Sequence, residues 1–187
     1  AHTALAMMLA DELDAEWSTV SIEQAPAHEL YANFLLAREY MFPTQTPDIL
    51  EDTVNGVFFQ IAKSMGLQTT GGSTSVRFTG QRAMRFYGAA TRPLFVNAAA
   101  EEWGVDPSGI EVNRSIVSHA ASGRSEPFIH FAQRVSQQRG EIAPKLKTPD
   151  QFNIMGKDVA RIDGPAKVDG TAMYGVDVEL PGMRYAT

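Results

Sequence analysis

The fold of this chain depends on one stretch of sequence, Leu67-Gln-Thr-Thr-Gly-Gly-Ser-Thr-Ser-Val76. Two glycines precede three hydroxyl residues, and a long helix-prone segment follows directly. A hydroxyl side chain at Ser73 or Thr74 suits a helix N-cap, because it can accept a hydrogen bond from a first-turn amide. Gly71 and Gly72 carry no Cβ, so they allow a tight turn and a close approach of a ligand to the main chain.

Two interpretations of this loop are open. First-turn amides, hydroxyl donors and the positive end of a helix favour a bound phosphate or pyrophosphate. The residues that would hold it are Gly71, Gly72, Ser73, Thr74 and Ser75. The simpler interpretation is a glycine loop before a capped helix with no ligand, since such loops are frequent. Arg77, in the first helical turn, would reach a phosphate in the first case and be solvated in the second.

The composition limits the classes of function. Of the 187 residues, 44% are hydrophobic and 20% are charged, as in ordinary globular domains. The formal net charge of −6 argues against general nucleic-acid affinity, which needs clustered Lys and Arg. Because the chain contains no cysteine, it has no disulfide and no thiolate ligand for zinc or an iron–sulfur cluster. No apolar run approaches the roughly 20 residues of a membrane span.

Hydrophobic spacing predicts helices on both sides of the loop. Amphipathic patterns predict a helix over residues 2–15 and another over residues 49–65. The dominant helix is predicted over residues 73–103, ending at Gly104, with a face on which backbones pack closely. That face comprises Val76, Gly80, Met84, Tyr87 and Gly88. Pro93 lacks an amide and clashes with the preceding turn at a cost of about 3 kcal/mol, so we expect a kink or break at Arg92–Pro93.

Shorter segments have strand and linker patterns. Residues 19–23 alternate as a strand does, and residues 110–112 and 116–118 predict a hairpin. Residues 128–138 predict a further helix. Residues 140–156 are rich in proline and weakly periodic, which is typical of a linker, and their lysines Lys145 and Lys147 are interpreted as solvating. Beyond them, turns and β-branched residues predict the opening of a β-rich domain.

The remaining polar residues have structural explanations. Three histidines lack the spacing of a metal site, so we predict structural or surface roles for them. They are His28, His119 and His130. Four acidic residues of the first helix predict a solvated face, since an acid–base pair requires burial. They are Asp11, Glu12, Asp14 and Glu16. No catalytic residue and no metal ligand is assigned.

Three blocks of the sequence, taken in order, resemble one protein family. The first runs from His2-Thr-Ala-Leu through Glu23-Gln-Ala-Pro26, and the second is Gln68-Thr-Thr-Gly-Gly-Ser-Thr-Ser-Val-Arg77. The third comprises Ala160-Arg-Ile-Asp-Gly-Pro-Ala-Lys-Val-Asp-Gly170 and Leu180-Pro-Gly-Met183. The chain resembles the large, molybdopterin-binding subunit of the xanthine oxidase family of molybdenum hydroxylases. Within that family it is most similar to the isoquinoline 1-oxidoreductase beta-subunit group, which includes membrane-associated bacterial aldehyde dehydrogenases.

The resemblance implies a fold and a domain organisation. The fold class is α+β, with helix–strand units of a molybdopterin-binding domain in residues 1–139, a linker in residues 140–156 and the start of an a/b hammerhead domain in residues 157–187. In xanthine oxidase-like enzymes the hammerhead domain precedes all of the molybdopterin-binding domain. In the isoquinoline-type subunits a piece of the latter comes first, as it does here.

The resemblance also implies a cofactor site. The second block borders the pyranopterin dinucleotide in the family, so Gly71, Gly72, Ser73, Thr74 and Ser75 are the expected cofactor-binding residues. The family's Gly-Gln-Gly loop would end just before Ala1. Its catalytic glutamate, and its glycine-rich loop near the molybdenum, would lie beyond Thr187. We therefore expect the chain to be a fragment that is inactive, and without cofactor or molybdenum, by itself.

The whole enzyme implied by the resemblance oxidises aldehydes or hydroxylates N-heteroaromatics with water as the oxygen source. It would use molybdenum on molybdopterin in the cytosine dinucleotide form. Its partners would be the remainder of the large subunit, a small iron–sulfur subunit and, in some members, a cytochrome subunit. The group implies a periplasmic or membrane-associated location. The alternative is a non-catalytic α+β interaction or scaffolding module that keeps the sequence pattern without the cofactor.

Overall fold

The computed structural model describes residues 1–23, 25–26, 28–41, 47–68, 72–140 and 144–184. Within these ranges the side chains of Leu36, Glu39, Tyr40, Met41, Asp48, Asp52 and Thr74 are not described. The chain divides into two compact units, Ala1–Lys157 and Asp158–Thr187, and each is treated by itself.

The first unit is mostly helical, with one small sheet. Its helices are α1 (His2–Leu13), α2 (Phe34–Met41), α3 (Asp48–Ser64), α4 (Ser73–Ser75), a π-helical segment (Val76–Met84), α5 (Arg85–Trp103) and α6 (Phe128–Val135). Its strands are β1 (Ile110–Asn113), β2 (Ile116–His119) and β3 (Arg124–Pro127). The strands form an antiparallel sheet in the order β1-β2-β3. The predicted helices at residues 2–15, 49–65 and 128–138 are confirmed to within a few residues.

Helix α4, the π-helical segment and α5 follow one another as one long helical run, residues 73–103. Close packing of α1 against this run depends on two glycines. A Cβ added to Gly88 would lie 2.7 Å from the backbone oxygen of Leu9 and 2.7 Å from the Cβ of Glu12. A Cβ added to Gly80 would overlap the sulfur of Met8. The predicted close approach of backbones is therefore confirmed at Gly88, whereas the atoms nearest to Gly80 belong to the side chains of Met8 and Leu5. Tyr87 is 60% exposed and does not belong to that face.

The main hydrophobic core lies between α5, α6 and the sheet. It consists of Leu94, Phe95, Ala98, Ala99, Ala100, Ile110, Val112, Val117, Phe131 and Val135. The rings of Phe95 and Phe128 stack with their centroids 4.1 Å apart, and Trp103 meets Phe131 edge-on at 5.8 Å. The alternating burial of β1 turns Ile110 and Val112 toward this core. Alanines on α5 leave room for these larger side chains to pack against the helix.

The predicted hairpin is confirmed, and its turn is fixed by contacts with the end of α1. Arg114 and Ser115 have φ values of 50° and 62°, as a two-residue type I′ turn requires. The Ser115 amide donates to the Asp14 carbonyl at 2.9 Å, and the Ser115 hydroxyl accepts from the Glu16 amide at 2.9 Å. The third strand, β3, is polar and was not predicted; it pairs with β2 and leads into α6.

Of the kink or break predicted at Arg92–Pro93, the break is wrong and the kink stays a prediction. α5 runs without interruption from Arg85 to Trp103, with Pro93 inside it. Proline removes one helical hydrogen bond, but buried residues on both sides, among them Ala90 and Leu94, hold the helix in place against its neighbours. The departure from α-helical geometry occurs earlier instead, in the nine-residue π-helical segment Val76–Met84.

The strand predicted at residues 19–23 is also wrong. Trp17–Thr19 forms a 3-10 turn, whose first amides are capped by the Glu16 carboxylate, and residues 20–23 are in no strand. No described strand pairs with this segment, and Ile22 is 38% exposed. Alternation alone therefore does not make a strand where there is no neighbour to complete its ladder.

The second unit contains a short helix, α7 (Gly164–Val168), and a 3-10 turn at Gly175–Asp177. Its described residues, 158–184, include no strand. Hydrogen bonds from Arg161 and then Lys167 hold the pKa of the Asp163 carboxyl well below its usual range. Val168 and Val176 are almost fully exposed. The α+β fold class, the domain boundaries and the hammerhead assignment of this region stay predictions.

Candidate functional site

The glycine–serine loop enters the helical run at Gly72. Gly72 is the N-cap, with φ 55° and ψ −113°, and helix α4 begins at Ser73. The prediction of Ser73 or Thr74 as N-cap is therefore wrong. The physical reason is the backbone conformation at the cap, which glycine adopts without strain and a serine or threonine does not. Gly72 has no side chain with which to cap this helix start, and the Val76 amide donates to the Gly72 carbonyl at 3.3 Å.

The residues expected to bind cofactor differ in their access to solvent. Gly72 and Ser73 are exposed, and a Cβ added to Gly72 would meet nothing within 4 Å. Ser75 is fully buried, one turn inside. Gly71 and the side chain of Thr74 lie outside the described part of the chain. Open space above the Gly72 backbone and an exposed hydroxyl at Ser73 suit an anionic group, and the assignment of all five residues to a cofactor stays a prediction.

The helical run behind the loop has an unusual charge pattern. Between Thr69 and Ala100 there is no Asp or Glu, although the chain as a whole has a net charge of −6. Arg77 is exposed, with its guanidinium 5.7 Å from the ring centroid of Phe78, and Arg82 lies 5.8 Å from the same ring. Stacking on an aromatic ring orders a guanidinium but leaves the N–H groups at the edge of the guanidinium free to donate. Arg77 is thus placed at the surface in the turn that follows Ser73.

The acidic end of α1 is buried, so the prediction of a solvated face is wrong. Asp11 and Glu12 are 0% and 1% exposed. The Asp11 carboxylate accepts hydrogen bonds from the amides of Asn153, Ile154 and Met155 at 3.0, 3.2 and 2.8 Å. Three amide donors and nearby cations replace the water that an exposed carboxylate would bind.

Glu12 and Asp14 extend this cluster to the helical run. Glu12 accepts from Arg85 Nε at 2.7 Å and from the Lys147 amide at 3.0 Å. Lys147 bonds through Nζ to the Asp11 carbonyl and to the Asp14 carboxylate, and its side chain is only 12% exposed. Its interpretation as a solvating linker residue is therefore wrong, whereas Lys145 is exposed as predicted. Residues 144–156 are tethered to α1 by these bonds.

The cluster is structural in its chemistry. Each of the three carboxylates has a cation within 4 Å, and removing one partner of a buried pair typically costs about 3–5 kcal/mol. Since Arg85 and Arg92 belong to α5, the same contacts fix α5 to α1. The cluster therefore positions the helical run that begins at the loop.

The three histidines have local partners. His28 Nδ1 accepts from the Leu30 amide at 3.2 Å, His119 Nδ1 lies 2.8 Å from the Ser122 hydroxyl, and His130 Nε2 lies 2.7 Å from Glu102 Oε1. In the described part of the chain no group of three His, Asp or Glu residues could hold a metal ion. No helix in that part is long and apolar enough to cross a membrane.

Comparison with known proteins identifies two relatives. The chain is 31% identical over 222 aligned residues to the isoquinoline 1-oxidoreductase subunit beta of Brevundimonas diminuta, covering 100% of this chain and 24% of that protein. It is 30% identical over 189 residues to the membrane-bound aldehyde dehydrogenase (pyrroloquinoline-quinone) of Gluconacetobacter polyoxogenes, covering 98% of this chain and 20% of that protein. No profile of a protein family matches the chain.

Both relatives have the names of oxidoreductases, and the chain is similar to them along all or nearly all of its length. More particularly, it belongs to the isoquinoline 1-oxidoreductase beta-subunit family, and the resemblance drawn from the sequence is confirmed. The chain spans only a fifth to a quarter of the length of these curated relatives.

Proposed function

We propose that this chain is part of the large subunit of a molybdenum-dependent oxidoreductase. The complete enzyme would oxidise an aldehyde or hydroxylate an N-heteroaromatic carbon, with water as the oxygen source. The observation that carries the proposal is the similarity, along the whole chain, to an isoquinoline 1-oxidoreductase beta subunit. The exposed Gly72–Ser73 helix start supports it, because that position suits an anionic cofactor group.

In this proposal the loop binds and orients the phosphate-bearing part of molybdopterin cytosine dinucleotide. The Gly72 backbone admits the group closely, and the Ser73 hydroxyl donates a hydrogen bond to it. A bond to a charged oxygen contributes about 1.5–3 kcal/mol, and the helix dipole adds about 0.3–1 kcal/mol. Arg77 adds positive charge one turn farther along. The bound molybdenum cofactor would supply the two-electron oxidation chemistry.

The second relative suggests another cofactor. Its name includes pyrroloquinoline quinone. That compound is a polycarboxylate, so the same exposed donors would also suit it. The sequence alternative, a scaffolding module without any cofactor, leaves the loop as a plain helix entry. These candidates differ in what the purified protein contains.

The proposal also covers partners and location. Electrons would leave through a small iron–sulfur subunit and, in some members, a cytochrome subunit, while the remainder of the large subunit completes the cofactor site. The membrane-bound relative supports a periplasmic or membrane-associated location. Co-purification of the complete polypeptide with an iron–sulfur protein would support this assembly.

The deciding experiment is cofactor analysis of the complete polypeptide that carries this sequence. We expect stoichiometric molybdenum and a pterin that is fluorescent after oxidation, together with aldehyde-dependent dye reduction. Pyrroloquinoline quinone without pterin would replace the proposal with the quinone alternative, and the absence of both would favour the scaffold. The 187-residue chain alone is expected to contain no molybdenum and to show no turnover.

A further inference from the structure

A pocket of about 400 Å³ lies beside α5 in the first unit, away from the glycine–serine loop. Its apolar wall comprises Ala89, Pro93 and Leu146. Pro93 has no amide, so the Ala89 carbonyl lacks the helical donor it would otherwise have. The volume falls within the range of about 300–1,000 Å³ that small-molecule sites occupy.

Of the three cationic residues that line the pocket, Arg92 and Lys145 can still bind a ligand. Arg92 Nε lies 2.7 Å from Asp14 Oδ2, but its N–H is not directed at that oxygen, and the buried Nε has no hydrogen-bond partner among the described residues. Lys145 is exposed, and no described residue forms a salt bridge with it. A buried guanidinium donor without an acceptor is costly, and an anion in the pocket would supply that acceptor.

Among the described residues that line the pocket or pair with its lining, one cation is in excess. Three carboxylates and three cations offset one another; they are Asp11, Glu12, Asp14, Arg85, Arg92 and Lys147. Lys145 is a fourth cation. A ligand with a single negative charge would therefore balance the cluster, whereas a multiply charged one would overcompensate it.

We propose that this pocket binds a small monocarboxylate. The planar guanidinium of Arg92 matches a carboxylate in shape and donor spacing, and Lys145 adds charge at the mouth. Ala89, Pro93 and Leu146 contact the hydrocarbon part of the ligand. The proposal is independent of the cofactor assigned to the loop, since it uses none of the residues of that loop.

The test is a titration of the isotope-labelled 187-residue chain, followed by NMR, with benzoate and acetate as probes. Benzamide and acetamide serve as uncharged matches. We expect saturable shifts at the Ala89, Arg92 and Leu146 amides and at the Arg92 Nε–H with the carboxylates only. Equal shifts with benzoate and benzamide would overturn the proposal, as would inorganic phosphate binding tighter than either carboxylate.

Two variants locate the binding. Lys145→Gln should weaken benzoate binding by about fivefold, because it removes a positive charge. Arg92→Lys should weaken it by about tenfold, because lysine keeps the charge but lacks the paired donors of the guanidinium. Lys157→Gln, a matched change at an exposed lysine outside the pocket, should leave the affinity unaltered. Equal effects of Lys145→Gln and Lys157→Gln would overturn the assignment, and this pair decides even if Arg92→Lys does not fold.

Discussion

The interface between α1 and the long helical run has buried, paired carboxylates at one end and an exposed helix start without acidic residues at the other. At the C-terminal end of α1, Asp11 and Glu12 are buried, and each carboxylate is matched by amides or cations. At the loop, Gly72 and Ser73 are exposed, the N-cap Gly72 has no capping side chain, and the next acidic residue along the chain is Glu101. The first region is closed and fixes the helices, whereas the second is open to a ligand. Substitutions in the first should therefore reduce stability, and substitutions in the second should reduce binding.

The largest effect on stability is expected from Glu12→Gln. The change removes the carboxylate that pairs with Arg85 and accepts from the Lys147 backbone amide. It leaves the partly buried Arg85 without its partner, so the free energy of unfolding should fall by about 3–5 kcal/mol. Urea denaturation measures this. Glu111→Gln, at an exposed position of β1, is the matched control and should change stability by less than about 0.5 kcal/mol. Equal losses would mean that the buried cluster does not hold the helices together.

A smaller loss is expected from Gly88→Ala, which tests the close approach of α1 and α5. The new methyl group would lie 2.7 Å from the Leu9 carbonyl oxygen, and overpacking of this kind costs about 1–3 kcal/mol. Gly56→Ala in α3, where a Cβ meets nothing within 4 Å, should instead stabilise the chain by about 0.5–1 kcal/mol. Thermal or urea unfolding of the pair gives opposite signs if the packing is as described. A stabilising Gly88→Ala would contradict it.

The smallest effect concerns the exposed edge of the acidic cluster. Hydrogen bonding from Arg114, and then from Ser18, lowers the pKa of Glu16 from 4.5 to about 2. Because the folded-state pKa is depressed, the interaction stabilises the fold above pH 4.5 and is lost as the pH falls toward 2. An NMR titration of Glu16 should show the low pKa in the parent chain. In Arg114→Gln the pKa should rise toward 4.5, and an unchanged value would exclude Arg114 as the main cause.

The sequence predicts well what is set by local chemistry. Helix periodicity located α1 and α3, Gly88 indicated where backbones meet, and the hairpin followed from two short β-branched segments around a turn. The N-cap at Gly72 was missed because hydroxyl residues usually cap helices. The composition of the loop did not show that Gly72 would adopt a positive φ.

Features set by distant contacts were not predictable in the same way. The burial of Asp11 comes from amides more than 140 positions away, so the pattern of α1 alone shows only an acidic face. The sequence did contain one signal of this burial. Residues 69–100 include Arg85 and Arg92 but no Asp or Glu, so carboxylates that pair with these arginines must come from elsewhere in the chain. The continuity of α5 through Pro93 and the absence of a strand at residues 20–23 likewise depend on tertiary packing rather than on local preference.

Gly72→Val in the complete polypeptide tests whether the open loop holds an anionic cofactor. Valine places a Cβ and two methyl groups where the cofactor must approach the backbone. Gly123→Val is the matched control, because Gly123 also has a positive φ, of 68°, and also has open space around its Cβ position. Both variants place a valine at a positive φ, with more strain at Gly72, where ψ is −113°, than at Gly123, where ψ is 14°, and only the first alters the loop. Molybdenum and pterin are measured per folded protein. We expect a marked loss of both in Gly72→Val, a smaller loss in Ser73→Ala and normal content in Gly123→Val. Normal cofactor content in Gly72→Val would show that the loop does not hold the cofactor.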